Sequence, residues 1–207
     1  MSMPLNRLNL GAVTQPFIHT RPFALFLWLL INLASFGFEL KQWRQRRAEA
    51  TKRDRGSFAL LMTGAAAGLF LLVSAPALAP AAAIRPGGAA FAVGMALFVA
   101  GFGMRRWSEM TLGRYFTFTV MTSAEQPVIT SGPYRFVRHP GYTGVLLILL
   151  GSGLVTGNWI GLAGWTLLVM APLLYRIHVE ENALLSAVGD RYRAYASDHK
   201  RLIPLVW

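Results

Sequence analysis

Two short segments contain most of the side chains in this sequence that could do chemistry. The first segment, residues 129–142, places four reactive or charged side chains after a Thr-Ser-Gly-Pro turn signal: Tyr134, Arg135, Arg138 and His139. Pro140 follows, and proline is tolerated in a first helical turn because its missing N–H would be unpaired there anyway. His139 is therefore predicted to precede a helix N-terminus, which suits a carboxylate or phosphate. The alternative interpretation is an interfacial anchor belt of Arg and Tyr.

The second segment runs from Arg176 to Leu185. Arg176 and Glu180 are four residues apart and share one helix face, whereas Glu180 and Glu181 are adjacent and point in different directions. Carboxylates at a helix C-terminus face the negative end of its dipole, so the helix is predicted to continue. The apolar stripe that would continue it, interrupted by Gly189, consists of Leu184, Leu185, Val188, Tyr192 and Tyr195. A cationic or multi-donor ligand is the functional interpretation; a solvated amphipathic extension is the alternative.

Composition excludes several classes of site. The chain has no cysteine, which excludes disulfides and thiolate chemistry, and it has no metal-ligand motif, phosphate-binding loop or nucleophile elbow. His178 and His199 lack ligand spacing and are interpreted as surface residues. The formal charge of +11 fits anionic lipid headgroups and cytoplasmic loops better than nucleic acid. Apart from Glu39, the apolar runs lack carboxylates, which argues against a pump.

These segments lie among long apolar runs. Of the 207 residues, 54% are apolar and 14% are charged, which is typical of a membrane protein. A helix needs about 20 residues to cross the hydrocarbon, with a lower limit near 17. The sequence therefore predicts an all-α, polytopic membrane bundle of about five transmembrane helices with a C-terminal cytoplasmic amphipathic helix. The predicted spans are approximately Phe23 to Leu40, Phe58 to Ala75, Gly87 to Met104, Pro140 to Thr156 and Trp159 to Tyr175.

Turn, charge and glycine patterns add detail to this bundle. Gly157-Asn158 predicts a tight hairpin between the fourth and fifth spans. Seventeen of the 20 basic residues fall on one side, which predicts the N-terminus outside and the C-terminus and site in the cytoplasm. Small residues within the spans predict close helix approach. They include Gly64, Ala67, Gly68, Gly94, Gly101, Gly151, Gly161 and Gly164.

The combined pattern of both segments resembles the isoprenylcysteine carboxyl methyltransferase family, and also related bacterial and phospholipid methyltransferases. The resemblance covers about residues 112–204 and begins with Leu112-Gly113-Arg114. It continues through Ser131–Tyr142 and a short hairpin, and ends on Glu180-Glu181, Leu184, Gly189, Tyr192 and Tyr195. It implies a membrane enzyme whose cofactor pocket is built by residues 112–207, with residues 1–111 forming the first three transmembrane helices of one integrated domain.

The resemblance also implies a cofactor and site residues. The cofactor would be S-adenosylmethionine, and the acceptor a lipophilic or lipidated molecule. Arg176 matches an arginine near the acceptor carboxylate, and Glu180 matches a cofactor-contacting glutamate. The implied cofactor-binding residues are Gln126, Val128, Ile129, Tyr134, His139, Pro140, Gly141, Tyr142 and Glu180.

The chemistry of the residues fits methyl transfer but leaves alternatives open. A carboxylate acceptor is already ionised at neutral pH and needs no general base. An amine or hydroxyl would need a proton acceptor, for which Glu180 or Glu181 could serve. A nicotinamide-dependent reductase of the sterol reductase type is the second hypothesis. A non-catalytic scaffold is the third, and it predicts that Tyr134, His139, Arg176 and Glu180 lie scattered.

Overall fold

The computed structural model describes residues 23, 26, 28, 30, 51–52, 56–116, 121–122 and 127–204. The first predicted span lies outside the described residues except at four positions, so it stays a prediction. The described helices are α1 (Ser57–Leu78), α2 (Gly87–Leu112), α3 (Pro140–Thr156), α4 (Trp159–Val188) and α5 (Asp190–Asp198). A two-residue antiparallel ladder joins β1 (Thr51–Lys52) to β2 (Met121–Thr122), a small departure from the all-α prediction.

Three helices (α1, α2 and α4) are long and apolar enough to cross a membrane, whereas the 17-residue α3 is shorter. Both α2 and α4 continue past the predicted ends of their spans, Met104 and Tyr175. Gly189 ends α4 with a φ of 65° and separates it from α5, so the predicted helical continuation is confirmed. Because several of its helices are long and apolar enough to cross a membrane, the chain is an integral, multi-pass membrane protein.

The predicted hairpin between α3 and α4 is present. Gly157 closes α3 in the left-handed conformation with a φ of 71°, which favours glycine. The Asn158 side chain caps α4 by accepting from the backbone N–H groups of Ile160 and Gly161. Its Nδ2 donates to the carbonyl of Ala79 at 2.8 Å, which ties the hairpin turn to the end of α1. The starts of α1 and α3 therefore lie at the opposite end of the bundle.

Glycines set the spacing between paired helices, as the sequence predicted. Helix α2 packs along α3, and α1 packs along α4. A Cβ placed on Gly94 would lie 2.7 Å from the Gly151 carbonyl oxygen, and one on Gly101 would lie 2.6 Å from that of Gly144. The backbones of α2 and α3 therefore touch over two helical turns, an approach that any larger side chain would prevent.

We expect Gly101→Ala to destabilise the protein by about 1–3 kcal/mol, because the added methyl group meets backbone atoms of Gly144 and Ile148 that cannot rotate away. Gly103→Ala is the matched control on the same helix, since a Cβ there meets nothing within 4 Å. Thermal unfolding in detergent compares the two. Equal midpoints for both variants would contradict the close contact between α2 and α3.

Candidate functional site

A cavity of about 400 Å³ lies at the end of the bundle opposite the hairpin turn. All five helices and the extended segment 127–129 contribute to its wall. It brings together eight of the ten predicted catalytic and cofactor-binding residues: Val128, Ile129, Tyr134, His139, Gly141, Tyr142, Arg176 and Glu180. Pro140 is fully buried at the start of α3 and is not part of the wall. Gln126 lies outside the described residues.

The hydroxyl of Tyr142 joins the two residues predicted to share a face of α4. It donates to Glu180 Oε2 at 2.7 Å and accepts from Arg176 Nε at 2.9 Å. Arg176 is 4% exposed and also donates from Nη1 to the hydroxyl of Ser57, at 3.3 Å. A buried guanidinium must be paired, and these bonds hold it in place. Because Arg176 and Glu180 are one helical turn apart, the Tyr142 hydroxyl can bond to both, and the bond to Tyr142 fixes the position of the Glu180 carboxylate.

Glu181 points away from the cavity, as its adjacency to Glu180 predicted. It contacts His139 Nε2 at 3.2 Å and Arg138 Nη2 at 3.4 Å, and it accepts from Arg201 Nη2 at 2.9 Å. The hydrogen bond to Glu181 raises the pKa of Arg201. Glu181 connects these basic side chains and is not among the residues that line the cavity, so the expectation that it could take a proton from an acceptor gains no support. Glu180 is the carboxylate on the wall, among the residues described.

Residues 200–202, near the end of the sequence, form hydrogen bonds with the start of α3. The backbone N–H groups of Arg138 and His139 donate to the carbonyls of Lys200 and Arg201, at 2.8 and 3.0 Å. Thr143 Oγ1 donates to the carbonyl of Leu202, whose side chain is almost fully buried. Sequence reasoning missed this contact, because no periodic pattern connects residues 200–202 to residues 138–143.

Tyr134 is held from both sides by other polar side chains. Its hydroxyl lies 2.7 Å from Ser108 Oγ on α2, and its backbone carbonyl accepts from the Tyr195 hydroxyl at 2.7 Å. Burial raises the pKa of Tyr195 to about 12, so its phenol stays protonated and donates at neutral pH. Ser108 was also missed, since a single serine in an apolar helix carries no sequence signal.

The remainder of the cavity wall is apolar. Its apolar lining includes Phe58, Leu61 and Met62 on α1, and Trp165 and Leu173 on α4. Met62 is 46% exposed, so the wall continues to the outer surface of the bundle. The sequence had indicated nothing diagnostic in this part of α1, because an apolar cavity wall has the same composition as a lipid-facing surface.

The positions of four polar side chains disagree with the scaffold hypothesis. A non-catalytic scaffold predicted that Tyr134, His139, Arg176 and Glu180 would lie scattered. All four line the same cavity. Convergence of polar side chains on an apolar pocket is the usual form of a small-molecule site.

Comparison with known proteins agrees with this arrangement. Residues 92–186 match the model of the isoprenylcysteine carboxyl methyltransferase (ICMT) family. The chain is 31% identical over 116 residues to the "Probable protein-S-isoprenylcysteine O-methyltransferase" of Oryza sativa subsp. indica, covering 55% of this chain and 61% of that protein. It is 30% identical over 111 residues to the protein-S-isoprenylcysteine O-methyltransferase of Schizosaccharomyces pombe, covering 47% of each chain.

A solved structure shares the fold. The eukaryotic intramembrane Ras methyltransferase ICMT superposes with a TM-score of 0.59 at 24% identity, covering 70% of this chain and 52% of that one. The chain thus spans about half to three fifths of the length of the relatives it matches. Residues 92–186 are thus similar to the isoprenylcysteine carboxyl methyltransferase family.

Proposed function

We propose that this protein is an integral membrane methyltransferase that transfers a methyl group from S-adenosylmethionine to a lipophilic carboxylate. An isoprenylcysteine-like compound or an isoprenoid or lipid acid would be such an acceptor. The observation that carries the proposal is that Arg176, Tyr142 and Glu180 line one cavity together with apolar side chains. The match of residues 92–186 to the methyltransferase family model supports the same reaction.

The cavity suits the cofactor in size and in chemistry. Its volume of about 400 Å³ falls within the range of small-molecule pockets, roughly 300–1,000 Å³. S-adenosylmethionine carries an ammonium, a carboxylate, ribose hydroxyls and a sulfonium. Glu180 is the carboxylate on the wall for the ammonium or a hydroxyl, and Tyr134, His139 and Val128 provide further wall around it. When bound, the cofactor would supply an electrophilic methyl group for in-line attack by a nucleophile, with S-adenosylhomocysteine as the leaving group.

The residues of the chain mainly position the reactants and exclude water, and no group need act as a base. A carboxylate acceptor carries its nucleophilic oxygen already ionised, so one C–S bond breaks and one C–O bond forms without proton transfer. Arg176 lies on the wall one helical turn before Glu180, where a guanidinium can pair with and orient the acceptor carboxylate. The apolar side chains of α1 and α4 keep water from the reacting atoms.

We infer a lipophilic acceptor because the part of the cavity proposed to hold it is lined by apolar side chains. Phe58, Leu61 and Met62 form that part, and the exposed Met62 lies where the wall reaches the outer, lipid-facing surface. A long hydrocarbon group can enter from the bilayer here without crossing water. The polar headgroup of the same molecule would then reach Arg176.

Transfer of a labelled methyl group tests the proposal. Purified protein in lipid vesicles is incubated with methyl-labelled S-adenosylmethionine and a native membrane lipid extract, with heat-denatured protein as the control. We expect label in an organic-soluble product that mild alkali releases as methanol, because methyl esters hydrolyse in alkali. Alkali-stable label would contradict carboxyl transfer and favour an amine or thiol acceptor.

Binding calorimetry addresses the reductase alternative. We expect heat on titration with S-adenosylmethionine or its product S-adenosylhomocysteine, and none with NADPH. Heat with NADPH alone would overturn the proposed function.

A further inference from the structure

Three residues that line the cavity have a buried polar atom without a partner among the described residues: the hydroxyl of Tyr192, the Nε of Arg138 and the Nε1 of Trp165. Trp165 packs against Gly68 in the apolar part of the wall, whereas Arg138 and Tyr192 belong to the polar part. Tyr192 is only 4% exposed. Leaving a buried donor unpaired costs about 1–3 kcal/mol, and native proteins rarely do so without a reason. A ligand group in the cavity is one such reason.

We propose that Tyr192 and Arg138 hold the carboxylate at the amino-acid end of the cofactor. This inference rests on the proposed function and assigns a binding role to a residue, Tyr192, that the site described above does not use. Both atoms are N–H or O–H donors, and two donors on one wall suit an anionic group better than a neutral one. Arg138 also contributes its positive charge.

The surroundings of Tyr192 support a donor role. It lies at the first turn of α5, packed against Val188, Tyr195 and Val128. Burial raises the pKa of Tyr192, and the nearby carboxylates of Glu181 and Glu180 raise it further while Arg138 opposes them. The hydroxyl therefore keeps its proton at neutral pH and is able to donate it in a hydrogen bond.

The position of Glu180 agrees with this assignment. In an amino acid, the ammonium and the carboxylate are attached to the same carbon atom, so their partners must be neighbours. Glu180 lines the same cavity and is near enough to affect the titration of Tyr192. The wall thus offers an acceptor for the ammonium beside donors for the carboxylate. Glu181 does not repel the ligand carboxylate strongly, because Arg138, Arg201 and His139 surround it.

Two ligands that differ only in this carboxylate test the proposal. S-adenosylmethionine and decarboxylated S-adenosylmethionine are titrated into wild-type protein and into Tyr192→Phe by calorimetry in detergent. Phenylalanine keeps the ring and removes only the hydroxyl. We expect Tyr192→Phe to weaken binding of S-adenosylmethionine about tenfold and to leave binding of the decarboxylated ligand unchanged. Tyr175→Phe is the control, since Tyr175 is 42% exposed on α4 and does not line the cavity.

The outcomes separate this inference from the proposed function. Failure of the wild type to bind S-adenosylmethionine would overturn both. If the wild type binds but Tyr192→Phe weakens both ligands equally, or neither, then the hydroxyl does not contact the carboxylate and this inference alone is wrong. Should Tyr192→Phe fail to fold, the wild type still decides, because equal affinity for the two ligands would exclude a carboxylate site.

Discussion

Glu180→Gln is expected to weaken binding of S-adenosylmethionine about 100-fold and to reduce methyl transfer by at least as much. Glutamine has the same shape and can still accept from the Tyr142 hydroxyl, so the Arg176–Tyr142 pair stays in place. What is lost is the negative charge on the cavity wall. A hydrogen bond between charged groups contributes about 1.5–3 kcal/mol, and about 2.8 kcal/mol corresponds to 100-fold in affinity.

Calorimetry and labelled methyl transfer measure these two effects. Asp198→Asn is the control, because it removes the same charge from an exposed position at the end of α5. We expect it to bind as the wild type does. Unchanged binding in Glu180→Gln would mean that Glu180 only positions Tyr142, and the proposed cofactor contact would be wrong.

The largest effect on folding is expected from Glu181→Gln, which should lower the free energy of unfolding by about 3–5 kcal/mol. The carboxylate is buried among Arg138, His139 and Arg201, at 3.4, 3.2 and 2.9 Å. Removing one partner of a buried ion pair leaves a desolvated charge without compensation, here that of Arg138, whose side chain is 12% exposed. Because these residues connect α3, α4 and the segment around Arg201, their separation would also disturb the cavity.

Thermal unfolding in detergent measures this loss. Asp190→Asn is the matched control, because the ion pair of Asp190 with Arg193 is largely exposed, with side-chain exposures of 89% and 72%. Surface pairs contribute about 0–1 kcal/mol, so its midpoint should barely move. Equal changes in the unfolding midpoints of Glu181→Gln and Asp190→Asn would show that the ion pairs of Glu181 do not stabilise the fold more than a surface pair does.

The parts of the site that lie on one helix could be predicted from sequence. Arg176 and Glu180 are one turn apart, and helical geometry alone places them on one face. The same geometry predicted that Glu181 points elsewhere. Small residues in the spans predicted close helix approach, which α2 and α3 show, and Gly157-Asn158 predicted the hairpin turn. In each case the determining interaction is local or follows a helical period.

The remaining parts depend on contacts between distant segments. Ser57 meets Arg176, and Ser108 meets Tyr134, because of how whole helices pair. Single serines give no periodic signal from which that pairing could be inferred. Arg201 reaches Glu181 after α5 through a segment without regular structure, whose course no propensity predicts. The side of the membrane on which the site lies, and the separate roles of residues 1–111 and 112–207, stay predictions.

The backbone pairing of residues 138–143 with residues 200–202 has a consequence for biosynthesis. The α3–α4 hairpin closes through a two-residue turn and can insert as soon as it leaves the ribosome. Thr143, however, meets its partner Leu202 only 59 residues later. At about 5–20 residues per second, that delay lasts roughly 3–12 s. Glu181 precedes Arg201 by 20 residues, so for about 1–4 s of this interval the nascent bundle exposes Glu181 before Arg201 has been made, and a chaperone or lipid headgroup could occupy that position.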